Sequence, residues 1–458
     1  METIRVRLRF LSHPHVCGIV LPVHLCQKLD LRPRQRITVM LGKKEIVATV
    51  LQDRRNPDSN IVKVTSLMRT ELGIPHAGLI NLKREGDALR IGPSIGIVTT
   101  GLRRDPRMPI GQRTSFFHKL LQAQEGKGVF YFIFSPHDVD WNNHRVSAWF
   151  LRRTKSGGYV WRKLITAMPD VVYDRIPSRT AEKQEAVKEF KYRLANYQHT
   201  PVFNQGFFNK WLVHQLLYPN PEVNQHIPET YTSPTLQTVK NLLRKYPIVY
   251  LKPKNGSLGY GIVKVVRQAG KGYEVSYHTG GGNVKRHFAK LTALYQHVFR
   301  TRRASSYLAQ QGIPLLTFHG RPFDFRVHLH KNQQNKWVVS CMAAKVAGSG
   351  SVTTHVRTGG TVIPGDELLH HLFGRQHAMM MERIREASIR LATAIEQAKG
   401  TELGELGLDI GIDVKGHVWM FEANSKPGRS IFKHARLKQA DKESRDLLVD
   451  YSCYLANF

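Results

Sequence analysis

The run Leu406-Gly-Leu-Asp409-Ile-Gly-Ile-Asp413-Val-Lys-Gly416-His-Val-Trp-Met-Phe-Glu422-Ala-Asn424-Ser-Lys-Pro-Gly428 reads as two apolar strands around a turn at Lys415-Gly416. On the second strand Glu422 and Asn424 are two apart, so both side chains leave the same face. Asp409 lies thirteen residues before Glu422, a separation that a hairpin closes. Two carboxylates and an amide oxygen meeting at one point make a hard-oxygen site suited to Mg2+ bridging the phosphates of a nucleotide. A second run, Ile248-Val-Tyr-Leu-Lys252-Pro-Lys-Asn-Gly256-Ser257-Leu-Gly259-Tyr260-Gly261-Ile-Val-Lys-Val, delivers a lysine into a glycine-rich loop. Such a loop can turn backbone N–H groups toward phosphate oxygens while the lysine adds a point charge. It is neither a Walker A loop nor a dinucleotide fingerprint, because a strand and not a helix follows the glycines.

The elements that must position these groups follow from length and patterning. With 458 residues, 41% hydrophobic, the chain has room for about three domains at roughly 150 residues each. Residues 1–92 read as a β-rich, barrel-like N-terminal domain, with short apolar strands broken by Gly42 and by the polar turn Asp53 to Asn60. A short helix is expected after Pro22, and Leu72-Gly-Ile-Pro repeats that pattern. Gly92-Pro93 marks a boundary to an α/β domain over 93–203, where Ile95-Gly-Ile-Val, Val129-Phe-Tyr-Phe-Ile-Phe and Pro169-Asp-Val-Val-Tyr predict a parallel sheet with helical spacers. Residues 181–199 are charged and helix-prone, and residues 204–458 form a third, larger region that carries the chemistry.

Lys and Arg total 68 against 35 Asp and Glu, a net charge of +33 that favours an anionic partner, possible classes being nucleic acid, a phosphorylated ligand or an anionic polymer. No stretch approaches the ~20 uninterrupted apolar residues of a membrane span. The alternating N-terminus METIRVRLRF reads as a strand and not as a signal peptide, so a cytoplasmic protein is expected. Cys17, Cys26, Cys341 and Cys453 form no CxxC pair and read as reduced thiols.

Residues 205–430 resemble the ATP-grasp ligases, the family of D-alanine–D-alanine ligase, glutathione synthetase and the ribosomal-protein glutamate ligase. More narrowly, Ser135-Pro-His-Asp-Val-Asp-Trp, Tyr173-Asp-Arg-Ile-Pro-Ser-Arg and Glu422-Ala-Asn-Ser-Lys-Pro-Gly-Arg resemble the YheC/YheD group, linked to bacterial endospore coats. The resemblance implies an ATP-grasp fold with ATP and Mg2+ as cofactors. It casts Lys210 and Lys252 as the two nucleotide-binding lysines and Gly256, Ser257, Gly259, Tyr260 and Gly261 as the loop over the phosphates. Gln310, Gln311 and Ile313 become the hinge at the adenine, with Gln310 standing where many relatives carry glutamate. Arg326 of Asp324-Phe-Arg326 and Lys345 on the next strand face phosphate, and Asp409, Glu422 and Asn424 hold the metal. Arg429, directly after Pro427-Gly428, leaves two readings open, a bidentate grip on a substrate carboxylate or a solvated arginine at a turn. The segment Thr353-Thr354-His355-Val-Arg357-Thr-Gly359-Gly360 departs from the Thr-Asn or Ser-Asn of several relatives.

The function so implied is a carboxylate–amine or carboxylate–thiol ligase. Its acid attacks the γ-phosphorus of ATP, and an amine or thiol then displaces phosphate from the acylphosphate. Two alternatives belong to other classes. One is a nucleotide-binding structural protein of a spore coat, without turnover. The other is a non-specific nucleic-acid binder driven by charge. Against the last stand the absence of any RNP, zinc-finger or helix-turn-helix signature and the dispersal of the basic residues.

Overall fold

The computed structural model describes residues 2–255, 261–279, 282–348 and 360–458. Two compact units emerge, one comprising Met1–Gly206, Asn332–Lys336 and Arg445–Phe458, the other Phe207–Lys331 and Trp337–Ser444.

In the first unit, seven strands close a barrel in the order Ile4–Leu11, Ile61–Thr65, Gly18–Pro22, Lys44–Asp53, Arg36–Leu41, Ala88–Gly92, Gly78–Glu85. The N-terminal strand shows why: Ile4, Val6 and Leu8 point into the barrel while Arg5, Arg7 and Arg9 face out. Helix Val23–Lys28 does follow Pro22. The second helix, Ser66–Leu72, instead precedes its Gly-Ile-Pro, because Thr65 caps its start by accepting from the Met68 N–H and Gly73, at φ 75°, ends it in the left-handed region.

The same unit carries a sheet whose strands Phe130–Phe134, Ser94–Val98, Val171–Asp174 and Val202–Phe203 run parallel. Ser94–Val98 and Phe130–Phe134 are buried at every position, as strands covered on both faces must be. An antiparallel hairpin, Arg145–Arg153 with Tyr159–Ala167, adds to the Phe130–Phe134 edge. The parallel expectation missed it because its two strands are joined by a tight Thr154–Gly158 turn and not by a helical spacer. The helix-prone tract resolves into Arg179–Glu182 and Glu185–Ala195.

The second unit consists of two antiparallel sheets. The first runs Thr230–Thr232, Tyr307–Gln311, Ile248–Pro253, Val263–Gln268, Gly272–Thr279, Gly282–Phe288 and packs on helices Leu236–Lys245 and Leu291–Phe299. The second runs Thr361–Pro364, Trp337–Val346, Arg321–Lys331, Glu405–Ile412, Val418–Asn424 and packs on helix His377–Lys399. Its core is made by Phe323, Phe325, Val327 and Leu329, alternate residues of the central strand that meet Ile384, Leu391 and Ile395 of that helix. No helix of the described residues is long and apolar enough to cross a membrane.

Candidate active site

The central strand Arg321–Lys331 carries its apolar residues on one face and Asp324, Arg326, His328 and His330 on the other. Its neighbours supply the complement. Asp324 lies opposite Lys345, Arg326 opposite Asp409, and Asp409 in turn opposite Glu422. Asn424 lies two residues beyond Glu422, opposite Gly407. Ile410 pairs with Met420, so Phe421 and Glu422 together oppose Asp409 in a β-bulge. The extra residue brings the Phe421 ring to 5.5 Å from Lys252 Nζ.

These side chains form one charged network. Arg326 donates from Nε to Asp409 Oδ1 at 2.8 Å and from Nη2 to Oδ2 at 3.2 Å, a bidentate pair. Lys345 Nζ bridges Asp324 at 2.8 Å and Asp409 at 3.1 Å. Lys210 Nζ meets Glu422 Oε1 at 2.6 Å. Helix Lys210–Leu217 holds that lysine in its first turn, its start capped by Asn209, which accepts from the Trp211 and Leu212 N–H groups. Burial alone would raise the Asp409 carboxyl, but Arg326 and Lys345 outweigh it and hold it down at about 2. Burial would likewise lower Lys345, and the two aspartates reverse the sign and raise it.

Lys252 shows the opposite balance. Burial, and then the ammonium of Lys210, pull it down to about 8, against the weaker attraction of Glu422, Asp324 and Asp409. It donates to Gln310 Oε1, whose amide nitrogen donates to Thr230 Oγ1 at 2.9 Å. Gln311 belongs to the strand's other margin, accepting from the Glu229 N–H at 3.1 Å, and Ile313 is buried just beyond. Gly312 between them is a close approach: a Cβ there would lie 2.4 Å from the Ile248 side chain. Gly261 has φ 75° and accepts from the Tyr307 hydroxyl at 3.2 Å. Gly256, Ser257, Gly259 and Tyr260, and the 353–359 segment, lie outside the described residues.

Arg429 is placed differently from the expected carboxylate clamp. Its Nε and Nη2 donate to Asp441 Oδ1 at 3.1 and 2.8 Å, and its guanidinium lies 4.5 Å from the Phe432 ring centroid. The Nε/Nη2 edge, one of the two with which a guanidinium can grip a carboxylate, is thus occupied within the fold.

Among the described residues no group of three or more His, Cys, Asp or Glu is arranged to hold a metal ion. Magnesium asks for less, since it typically takes one or two carboxylates and completes its shell with water and phosphate oxygens. Asp409 and Glu422 on adjacent strands, with the Asn424 amide next along, fit that oxygen-only requirement.

A row behind the network escaped the sequence reading. His330 lies between Ser340 Oγ, 2.7 Å from Nδ1, and Glu405, 3.6 Å from Nε2, and His328 is fully buried between His330 and Arg326 in the strand alternation. Burial above all holds His328 neutral. The signal was there in Asp324-x-Arg326-x-His328-x-His330, polar at every second position of an otherwise apolar strand. Gly407 makes the row possible: a Cβ there would lie 2.6 Å from Pro427 Cβ and 3.1 Å from Arg326 Nη1. Gly407→Ala is therefore expected to lower stability by about 1–3 kcal/mol in urea unfolding. A variant as stable as the parent would show that Pro427 gives way freely.

Two cross-strand carboxylates, two lysines from separate elements and an Asp-x-Arg strand define the class: the chain is an ATP-grasp protein, and residues 199–455 match the YheC/D like ATP-grasp family. It belongs to that family. It is 34% identical over 405 residues to the endospore coat-associated protein YheD of Bacillus subtilis (strain 168), spanning 88% of this chain and 87% of that one. With YheC of the same organism, also named endospore coat-associated, it shares 24% identity over 315 residues, 69% and 85% of the two chains. Similar solved structures include the VanG D-Ala:D-Ser ligase from Enterococcus faecalis (14% identity, 79% of this chain and 99% of that one, TM-score 0.42). Another is the ATP-grasp ligase PsnB complexed with a phosphomimetic variant of a minimal precursor, Mg and ADP (13% identity, 78% and 98%, TM-score 0.39).

Proposed function

We propose that this chain is an ATP- and Mg2+-dependent ligase that activates a carboxylate as an acylphosphate and passes it to an amine or thiol. The observation that carries the reading is the cross-strand row Arg326–Asp409–Glu422 with Lys345 and Lys210 bonded into it. A triphosphate entering this network would exchange partners with it. Lys210, Lys252, Lys345 and Arg326 would turn to phosphate oxygens and free Asp409 and Glu422 to hold the cation beside Asn424. Bound there, Mg2+ would neutralise charge on the phosphates as the transferred group moves. The four cationic side chains would then stabilise the developing charge on the γ-phosphoryl oxygens, aligned beforehand by the strands that carry them. Gln310, bonded to Lys252 and Thr230, is the residue through which the hinge would orient the base relative to that lysine. In the same reading residues 1–92 are a β-rich domain, 93–203 an α/β domain ahead of the ligase core, and 204–458 the nucleotide-binding and catalytic domain.

The second reading, a spore-coat protein that keeps nucleotide without turning it over, draws on the coat-associated names of the two relatives. Phosphate release separates the two. Mg-ATP at a hundred times its Kd is expected to stabilise the protein by about 2.7 kcal/mol under either. Phosphate release that rises on adding a paired acid and amine, and with neither alone, is expected only of the ligase. Tight Mg-ATP binding with no release across a broad panel of acids, amines and thiols would favour the coat protein.

A further inference from the structure

Strand Tyr307–Gln311 sets Gln310 between two neighbours, Thr230 on the edge strand Thr230–Thr232 and Tyr250 on Ile248–Pro253. Its side chain links the edge strand to Lys252: the amide oxygen accepts from Lys252 Nζ, and the amide nitrogen donates to Thr230 Oγ1 at 2.9 Å. We propose that Thr230 is a positioning residue, whose hydroxyl fixes which way round the Gln310 amide sits and thereby aims the Lys252 ammonium at an incoming phosphate. The phosphate end of this inference rests on the function proposed above, whereas the hold on the lysine stands in the nucleotide-free protein.

Donor and acceptor accounting leaves the amide one orientation. Thr230 Oγ1 donates its single proton to the Pro228 carbonyl at 2.8 Å, so only its lone pairs remain for Gln310. An ammonium donates and cannot accept. Nitrogen toward the threonine and oxygen toward the lysine satisfy both partners. Turned round, the amide would set its NH2 group against the ammonium and its carbonyl oxygen against a hydroxyl whose proton is already committed. Shape alone does not choose, because the terminal torsion of glutamine is broad and close to two-fold. Thr230 and Gln310 are 5% and 9% exposed, so a wrongly turned amide would find little water to satisfy it.

Lys252 depends on that choice. Among the described residues Gln310 Oε1 is its one hydrogen-bond acceptor. Its other close neighbours are the Tyr250 and Phe421 rings, 5.4 and 5.5 Å from Nζ. Ring faces attract a cation without fixing the direction of its N–H groups, so the amide does the aiming. Burial and Lys210 already pull Lys252 down to about 8, and amide donors turned toward it would pull it lower.

The test uses the full chain. Thr230→Val keeps the shape of the side chain and loses the hydroxyl, and Thr230→Ser keeps the hydroxyl. Thr230→Val is also made in a Gln310→Glu background, where a carboxylate with two equivalent oxygens has no wrong way round. Two quantities are read: the titration of Lys252 without nucleotide, by carbon NMR of isotope-labelled lysine assigned with Lys252→Met, and the calorimetric affinity for Mg-ATP. With Gln310 in place, Thr230→Val is expected to move the Lys252 titration below about 8 and to weaken Mg-ATP at least about fivefold. Thr230→Ser should retain both parental values. In the Gln310→Glu background the same Thr230→Val change is expected to cost less than about twofold, a coupling that general damage to the edge strand would not produce. If Thr230→Val does not fold, Thr230→Ala serves for the same comparison. An unmoved Lys252 titration, or an equal loss of affinity in both backgrounds, would overturn the proposal. A parent chain that binds no Mg-ATP would count against the nucleotide reading instead, and the Lys252 titration would still decide the role of Thr230.

Discussion

Asp409→Asn is expected to abolish phosphate release, by at least about a hundredfold, and to destabilise the nucleotide-free protein by roughly 2–4 kcal/mol at neutral pH. The amide keeps the shape of the side chain and removes its charge. Arg326 then loses both of its bonds to a carboxylate, and Lys345 keeps only Asp324. Removing one member of a buried ionic network leaves the others uncompensated, which is why the loss exceeds the value of any one bond. The pH dependence has a definite sign. Asp409 is held at about 2 in the fold against 3.8 in an open chain. Its contribution, about 2 kcal/mol, is complete above the open-chain value and lost as pH falls through the folded one. The stability gap between parent and variant should therefore be constant near neutrality and narrow below about pH 4. Urea unfolding at pH 7 and pH 3, with phosphate assays alongside, measures both effects. Equal stability at pH 7 together with undiminished release would sink the role given to this carboxylate.

Lys252→Met should do something less usual: raise the melting temperature of the nucleotide-free protein by a few degrees while eliminating its stabilisation by Mg-ATP. The lysine stands at about 8 in the fold against 10.5 when exposed, because burial and Lys210 oppose its charge. Holding it protonated at neutral pH costs about 2 kcal/mol after allowance for its partly exposed position. Methionine fills the same space without the charge and forfeits the bond to Gln310, which subtracts from the gain. In the parent the penalty is fully present below pH 8. It fades between pH 8 and 10.5, where the unfolded chain binds the proton and the folded one does not, so stability rises with pH across that window. The variant should lack that rise. A lower melting temperature in the variant, or an intact Mg-ATP shift, would contradict the account. A residue that strains the empty site and is needed when the site is filled is the mark of function retained at the expense of stability.

Much of the architecture is legible in the amino-acid order. Alternation at Ile4, Val6 and Leu8 and the glycine breaks announced the barrel, and the unbroken apolar runs at 95–98 and 130–134 announced parallel strands. The Lys415-Gly416 turn announced the hairpin that sets Asp409 opposite Glu422. The antiparallel wing Arg145–Arg153 and Tyr159–Ala167 was not legible, since strand-forming residues look alike whichever sheet edge they join. Nor was the fate of Arg429, whose partner Asp441 lies twelve residues on and could as well have faced solvent.

By itself, then, the amino-acid order determined most of the strands, which of their faces are apolar and which polar residue types line up at two-residue spacing, because these depend on local periodicity. Only the tertiary structure decided which cation meets which carboxylate. Arg326 reaches Asp409 across 83 positions and Lys210 reaches Glu422 across 212, and such pairings are selected by strand register and by burial. The balance that holds Asp409 charged and strains Lys252 arises from the same source. The field at each group is the sum over neighbours that folding alone brings together.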